Sequence, residues 1–319
     1  MAATIDLNKL RLSFGCINVN SMNVSTIGNR NAKSFIKVEG ITYFKHDILF
    51  ISDLRLKDKE FEIKKMFGLN KNESYKLYAN SSIESRGVAI AIKRKIAHEV
   101  IDIFNSPDQN VILMKIRIKG VLCTLGSIYG PNENNPGFFT NLKLRIENWD
   151  LPFIIGGDFN TILDQSLGEF NVDRIGDGRV PNFRNSGVLN NWIADGDCFD
   201  PFRALYPEQK EISYIPFRIA RDGVPYGKTR LDFFLVGVDF INLVSKVKYE
   251  EKLSFDFDHK MVSMWLGKKQ VCNRIRIFNN TLEHILAEKV GIISIYDCIN
   301  NHLRVGSEHL ARYIGNFFG

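Results

Sequence analysis

Short apolar runs separated by polar loops dominate the pattern along this chain. Val, Ile, Leu and Tyr concentrate at residues 10–19, 47–52, 75–78, 87–93, 111–118 and 121–129. Branched and aromatic side chains suit a pleated, half-buried surface, so each run predicts a β-strand. Later runs at 153–156, 230–236, 243–249 and 261–266 read the same way. Between them, 29–45, 57–67, 137–149 and 182–194 carry helical spacing of apolar positions. Strands interleaved with helices, without regular strand–helix–strand repetition, predict an α+β fold: a four-layer sandwich of two packed mixed sheets flanked by helices. A boundary is expected near Gly267-Lys268-Lys269, which separates a 1–267 domain from a 268–319 extension. Helical spacing at 281–290 and 292–303 makes that extension the expected start of a linker to a following domain.

Composition changes this picture little. The chain has 319 residues, 45% hydrophobic and 24% charged, an ordinary globular balance. Its net charge of +6 is compatible with a polyanionic partner and too small to identify one. Five cysteines, Cys16, Cys123, Cys198, Cys272 and Cys298, lie far apart with no zinc-ligand spacing. They predict buried free thiols in a reducing compartment. The N-terminus has no basic flank leading into an apolar stretch. No apolar run approaches the roughly 18 residues of a membrane span, so an intracellular protein without a membrane partner is expected.

Chemistry concentrates where the apolar runs stop. Ile51-Ser52-Asp53-Leu54-Arg55, Gly156-Gly157-Asp158-Phe159-Asn160, Arg230-Leu231-Asp232-Phe233 and Phe257-Asp258-His259 each follow or abut a predicted strand. Such positions can gather on one rim of a sandwich. Asp158 and Asn160 fall two residues apart, an acceptor beside a donor, which suits the orientation of a water and a phosphate oxygen. Taken alone, the motif equally fits a turn that satisfies its own backbone. His259 is the side chain most easily tuned to neutral pH. Neighbours on a strand point to opposite faces, so the carboxylate that orients it must come from elsewhere, and Asp232 is the candidate. A lone Asp-His is otherwise surface decoration. His46, His98, His284, His302 and His309 lack comparable context and read as structural or exposed. Asn18 and Asp53 end two early strands and offer oxygen ligands of the kind Mg²⁺ prefers. Tyr129 ends another, and its hydroxyl either meets a phosphate or packs as an ordinary rim residue.

The ordered set, from about Leu10 to Leu266, resembles the endonuclease/exonuclease/phosphatase superfamily with its DNase I-like fold. It is most similar to the apurinic-type endonuclease domain of LINE-type (non-LTR) retrotransposons. Ile17-Asn18-Val19-Asn20-Ser21, Arg86-Gly87-Val88-Ala89-Ile90 and Ile128-Tyr129-Gly130-Pro131-Asn132 carry the likeness. Gly157-Asp158-Phe159-Asn160, Arg230-Leu231-Asp232-Phe233-Phe234-Leu235 and Asp258-His259 complete it. Arg276-Ile277-Phe278-Asn279-Asn280-Thr281-Leu282 resembles a segment that commonly follows this domain in such elements.

The resemblance implies a Mg²⁺-dependent endonuclease, with Mn²⁺ as a substitute, acting on double-stranded DNA in the nucleus. It implies that Asn18 and Asp53 help hold the metal, with Asp258 nearby. Asp158 positions or deprotonates water, Asn160, Tyr129 and His259 neutralise charge on the phosphate, and Asp232 holds the imidazole. The product would be a 3′-hydroxyl from which a reverse transcriptase domain of the same polyprotein primes. Three positions depart from the family pattern. Asp53 stands where a glutamate is usual, which withdraws the carboxylate by roughly 1.5 Å. Phe257 replaces a serine, and Ser213 replaces a threonine. The same scaffold also suits a phosphoesterase for a lipid or small phosphoester, or a DNA-binding relic weakened at Asp53. Candidate phosphate contacts are Arg86, Lys93, Arg94 and Lys95 around one strand. Arg174, Arg179, Arg184, Arg218, Arg221, Lys228 and Arg230 add to them in later loops, and the loop 206–228 is a candidate for groove insertion.

Overall fold

Strands that bury every residue need cover on both faces. Ile48–Ser52, Val88–Lys93, Phe153–Asp158 and Asp232–Gly237 are of this kind. The computed structural model supplies that cover from a second sheet on one side and helices on the other. It describes residues 10–22, 30–56, 60–69, 73–81, 86–164, 166, 171–175, 183–215, 227–251 and 257–267. The predicted extension at 268–319, with its two helices, lies outside the described residues.

In chain order the strands begin with β1 (Leu12–Asn18), β2 (Ile48–Ser52), β3 (Tyr75–Asn80), β4 (Val88–Lys93) and β5 (His98–Asn105). They continue with β6 (Val111–Ile118), β7 (Val121–Tyr129), β8 (Phe153–Asp158), β9 (Arg174–Ile175) and β10 (Cys198–Phe199). The last are β11 (Lys228–Thr229), β12 (Asp232–Gly237), β13 (Val244–Tyr249) and β14 (Val262–Leu266). Helices are α1 (Arg30–Thr42), α2 (Glu60–Gly68), α3 (Pro136–Glu147), α4 (Phe183–Ala194) and α5 (Pro201–Leu205). Asn135 caps α3 by accepting the Phe138 N–H, and Pro136 sits in the first turn, where its missing donor costs nothing.

Two mixed six-stranded sheets result, ordered β13-β14-β1-β2-β4-β3 and β10-β12-β8-β7-β6-β5. Alternation sorts side chains between layers. Phe14, Cys16, Ile48, Phe50, Ile90, Met114, Leu125, Phe234 and Met264 fill the space between the sheets. The opposite face of the first sheet packs Ile17, Leu49, Ile51 and Ala91 with Val38 and Ile41 of α1 and Phe67 of α2. The opposite face of the second packs Leu113, Ile155, Phe233 and Leu235 with Phe139 of α3 and Trp192 of α4. This is the four-layer α+β sandwich that the apolar pattern predicts.

The expected strands all form, with boundaries within a few residues. The pattern missed the two-residue strands β9, β10 and β11 and the longer β5, an edge strand whose residues are mostly exposed and whose ladder is broken between Val100 and Asp102. An edge strand buries too little to write a strong apolar signal. Cys16, Cys123 and Cys198 are buried and free, and no described helix is long and apolar enough to cross a membrane.

Candidate active site

The polar ends of six strands meet on one rim. In the first sheet β1 and β2 run parallel and end together at Asn18 and Ser52. Beyond them the chain stays laced: Ser21 N–H donates to Asp53 O at 2.8 Å and Leu54 N–H to Gly87 O at 3.1 Å. In the second sheet Asp158 stands opposite both Tyr129 on β7 and Asp232 on β12. Glycine makes this approach possible. A Cβ at Gly157 would lie 2.0 Å from Ile128 O, and one at Gly130 would lie 2.1 Å from Phe159 O. Five non-glycine residues around the rim adopt left-handed backbone: Asn20, Ser21, Asp53, Arg55 and Asn160. Each such residue costs of order 1–3 kcal/mol, a strain typical of functional sites.

Asp158 is buried at the centre. Asn18 Nδ2 donates to its Oδ2 at 2.8 Å, and the Asn160 N–H donates to its Oδ1 at 2.8 Å. His259 Nδ1 lies 2.6 Å from Asp232 Oδ2, the remote carboxylate named from sequence. One ligand-capable atom each from Asp158, Asp232 and His259 falls within 4.8 Å of the others. The distance between imidazole and carboxylate is therefore well inside what a shared scissile group needs.

Backbone contacts fix this pair. Ser213 Oγ accepts the N–H of Leu231 and of Asp232 at 2.9 and 2.8 Å, and Tyr249 OH donates to Asp232 O at 2.8 Å. The same short segment ties back to the other sheet. Lys260 N–H donates to Ser213 O and Ile215 N–H to Asp258 O, while the Tyr214 ring lies 4.9 Å from the His259 ring. Ser213, a departure from the family pattern, thus spends its hydroxyl on the Asp232 backbone.

Electrostatics follow from burial and charge. Burial, then the neighbouring Asp232 charge, holds the Asp158 carboxyl well above the ordinary range, against the pull of His259. Burial works to lower the His259 pKa, but attraction and hydrogen bonding from Asp232, helped by Asp158 and Asp258, raise it to about 9. Burial, with Asp158 nearby, pushes Tyr129 up to about 12, so it remains a phenol at neutral pH.

The remaining predicted residues form the outer wall. Tyr129 OH donates to Asn132 Oδ1 at 3.3 Å and accepts from Arg86, whose guanidinium lies over the Tyr129 ring. Asn160 Nδ2 donates to Gly130 O at 2.8 Å. Asp53 is gripped by Arg55: Nε to Oδ1 and Nη2 to Oδ2, both at 2.7 Å. Asp258 Oδ2 accepts from Asn20 Nδ2 at 3.1 Å, and the Asn20 N–H donates to Asn18 Oδ1. Asp258 Oδ1 is buried and, among the described residues, has no hydrogen-bond partner. Asn18, Asp53 and Asp258 carry oxygen donors, and Asp258 Oδ1 is orphaned, so the donor chemistry fits a hard divalent cation. Asn20 and Arg55 were not singled out from sequence. Both lie two residues from a named position, and left-handed backbone sets their directions.

Two candidate phosphate contacts are corrected. Arg230 is fully buried, paired with Asp173 at 2.6 Å and Asp200 at 2.6 Å, and its Nη1 donates to Tyr249 OH. Lys93 is also buried; its ammonium donates to Lys45 O and faces Asp47 and Glu73. Carboxylates within the protein, buried for Arg230 and partly exposed for Lys93, claim both. Arg86, Arg94, Lys95 and Lys228 remain exposed. Arg179, Arg218 and Arg221, the Arg184 side chain and most of the groove-insertion loop lie outside the described residues.

No protein-family model matches the chain. Solved structures do. An AP endonuclease from Leishmania major is 16% identical with a TM-score of 0.58, over 81% of this chain and 88% of that one. The 3′–5′ exonuclease NExo from Neisseria meningitidis is 18% identical with a TM-score of 0.57, over 80% and 100%. The endonuclease domain of TRAS1, a telomere-specific non-LTR retrotransposon, is 14% identical with a TM-score of 0.54, over 82% and 100%. At these identities the likeness concerns the fold. This chain has the DNase I-like fold, and the proteins that share it here are nucleases.

Proposed function

We propose that this protein is a Mg²⁺-dependent DNA endonuclease that nicks one strand of duplex DNA and leaves a 3′-hydroxyl for target-primed reverse transcription. One observation carries the reading: the Asp232–His259 pair sits within 4.8 Å of Asp158, on a rim where both sheets end. A buried carboxylate of raised pKa is a competent base for a water proton. Asp158 takes that proton as the water oxygen bonds to phosphorus and the bond from phosphorus to the 3′-oxygen breaks, the 3′-oxygen taking a proton from solvent to leave as the hydroxyl. His259, its Nδ1 held by Asp232, presents Nε2 as a charged donor to the phosphate oxygens. The Tyr129 phenol adds a second donor, and Asn160 holds Asp158 through its backbone N–H. A Mg²⁺ or Mn²⁺ ion at Asn18, Asp53 and Asp258 would supply Lewis-acid neutralisation of phosphate charge. The fold shared with the endonuclease domain of a telomere-specific non-LTR retrotransposon is consistent with this reading, which further includes a reverse transcriptase domain in the same polyprotein and nuclear DNA as substrate.

The test is nicking of supercoiled plasmid with Mg²⁺, followed by primer extension from the nick. The intact protein should relax the plasmid and give extendable ends, while Asp158→Ala and His259→Ala should each fall by at least 100-fold. Equal rates in all three would reject the mechanism. A second reading, a DNA-binding relic, is favoured by the shortened Asp53 held by Arg55. It predicts a silent parent that regains nicking as Asp53→Glu.

A further inference from the structure

We propose that Arg55 is a built-in counter-cation that latches the metal ligand Asp53, so that a divalent cation binds only as this guanidinium is displaced. The inference rests on the metal-dependent reading above and concerns how the pocket is loaded. Both carboxylate oxygens of Asp53 are engaged at 2.7 Å, one by Nε and one by Nη2, the side-on fork that guanidinium makes best. The partners differ in accessibility: the Asp53 side chain is 3% exposed and that of Arg55 is 40%. The carboxylate is therefore held in the wall, while the guanidinium is the more exposed and so the more displaceable of the pair.

The backbone builds the pairing. Asp53 and Arg55 both have positive φ, 57° and 46°. Leu54 N–H donates to Gly87 O and Arg55 N–H to Arg86 O at 2.7 Å, which pins the strained tripeptide to the start of β4. Charge explains why a cation belongs there. Asp258 reaches Arg55 electrostatically, and its own Oδ1 is buried without a partner among the described residues. Two carboxylates in a pocket of low dielectric need a positive charge. The fork provides one, Arg86 Nη1 stands further off at 3.8 Å from Asp53 Oδ2, and the short aspartate arm keeps the fork close to the wall. A metal must compete for the same oxygens, so its apparent affinity is reduced by the fraction of protein in which Asp53 is released.

The experiment measures metal binding without DNA. Mn²⁺ affinity of the whole chain is read by electron paramagnetic resonance, and Mg²⁺ affinity by calorimetry. Arg55→Ala should bind Mn²⁺ about tenfold more tightly than the parent, the fold expected if about nine-tenths of the protein is latched. Arg55→Lys, which keeps the charge and loses the fork, should fall between them and guards against a folding defect. In an Asp53→Asn background the Arg55→Ala gain should vanish, because latch and ligand are the same group. Unchanged or weaker Mn²⁺ binding in Arg55→Ala overturns the latch, as does failure of every variant to bind the metal. Plasmid nicking is scored separately. Nicking by the parent without an affinity gain in Arg55→Ala sinks the latch and spares the endonuclease, whereas an affinity gain with no nicking does the reverse.

Discussion

Exchanging Asp232 for asparagine keeps the shape of the side chain and removes the charge 2.6 Å from His259 Nδ1. In the intact site, burial lowers the imidazole pKa and Asp232 is the foremost of the groups that raise it to about 9. Without that charge only Asp158 and Asp258 oppose burial, so the pKa should return to the free value of about 6.5 or lower. At about pH 7.5 a group of pKa about 9 is ~97% charged, whereas one of about 6.5 is ~9% charged. The variant should therefore lose at least tenfold in kcat/KM at that pH, and the loss should shrink toward about pH 6. Asp158 feels two changes at once. Losing the Asp232 charge lowers its carboxyl pKa while losing the His259 charge raises it, and these two changes oppose each other, so the imidazole titration assigns the loss at about pH 7.5.

Plasmid-nicking rates across pH, paired with a metal-free NMR titration of the His259 ring, measure both halves of this argument. The sign for stability follows from the same shift. A pKa raised on folding contributes stability that is fully present below about pH 6.5 and lost as pH rises through about 9, roughly 3 kcal/mol at most. Parent stability should fall across that window, and Asp232→Asn should be flat there. An imidazole that still titrates near 9 in the variant, or an unaltered pH–rate profile, would refute the reasoning.

Other perturbations test the scaffold. Asp173→Ala leaves the buried Arg230 with Asp200 as its remaining ion-pair carboxylate, and should cost about 3–5 kcal/mol by urea denaturation; an unchanged midpoint would show that the network is spare. Burial would raise the Asp173 carboxyl, but Arg230 and Arg203 hold it far below the ordinary range. Its contribution is thus present above about pH 4 and lost as pH falls further, and the variant should be less acid-sensitive than the parent. Gly157→Ala drives a Cβ to 2.0 Å from Ile128 O, so β7 and β8 must part, at more than about 3 kcal/mol; a midpoint within about 0.5 kcal/mol of the parent counts against this account. Tyr129→Phe removes the phenol that donates to Asn132 and should lower kcat/KM about tenfold while leaving Tm nearly unchanged. Equal rates would reduce Tyr129 to a packing residue.

What was legible in the sequence, and what was not, divides along one physical line. Strands such as β2 and β8 bury both faces and write continuous apolar runs, whereas β5 mixes Glu99 and Asp102 into an exposed edge and writes almost nothing. Asp158, Asp232 and His259 stood out because each interrupts or ends an apolar run. Asn20 and Arg55 did not, because positive φ decides where they point and a side-chain pattern does not encode φ. Lys93 and Arg230 were misread for a different reason. Charge defaults to solvent, and the carboxylate that buries Arg230 lies 57 positions away in the chain. Yet those interior cations sharpen the view of the site. Arg230 is matched by Asp173 and Asp200, and Lys93 by Asp47 and Glu73, so these clusters are electrically settled. At the rim His259 and Arg55 answer Asp232 and Asp53, yet a buried oxygen of Asp232 and another of Asp258 have no hydrogen-bond partner among the described residues. A buried oxygen left without a partner costs about 1–3 kcal/mol. A fold that tolerates this at the same rim where its backbone is strained keeps there the oxygen donors that the proposed divalent cation would use.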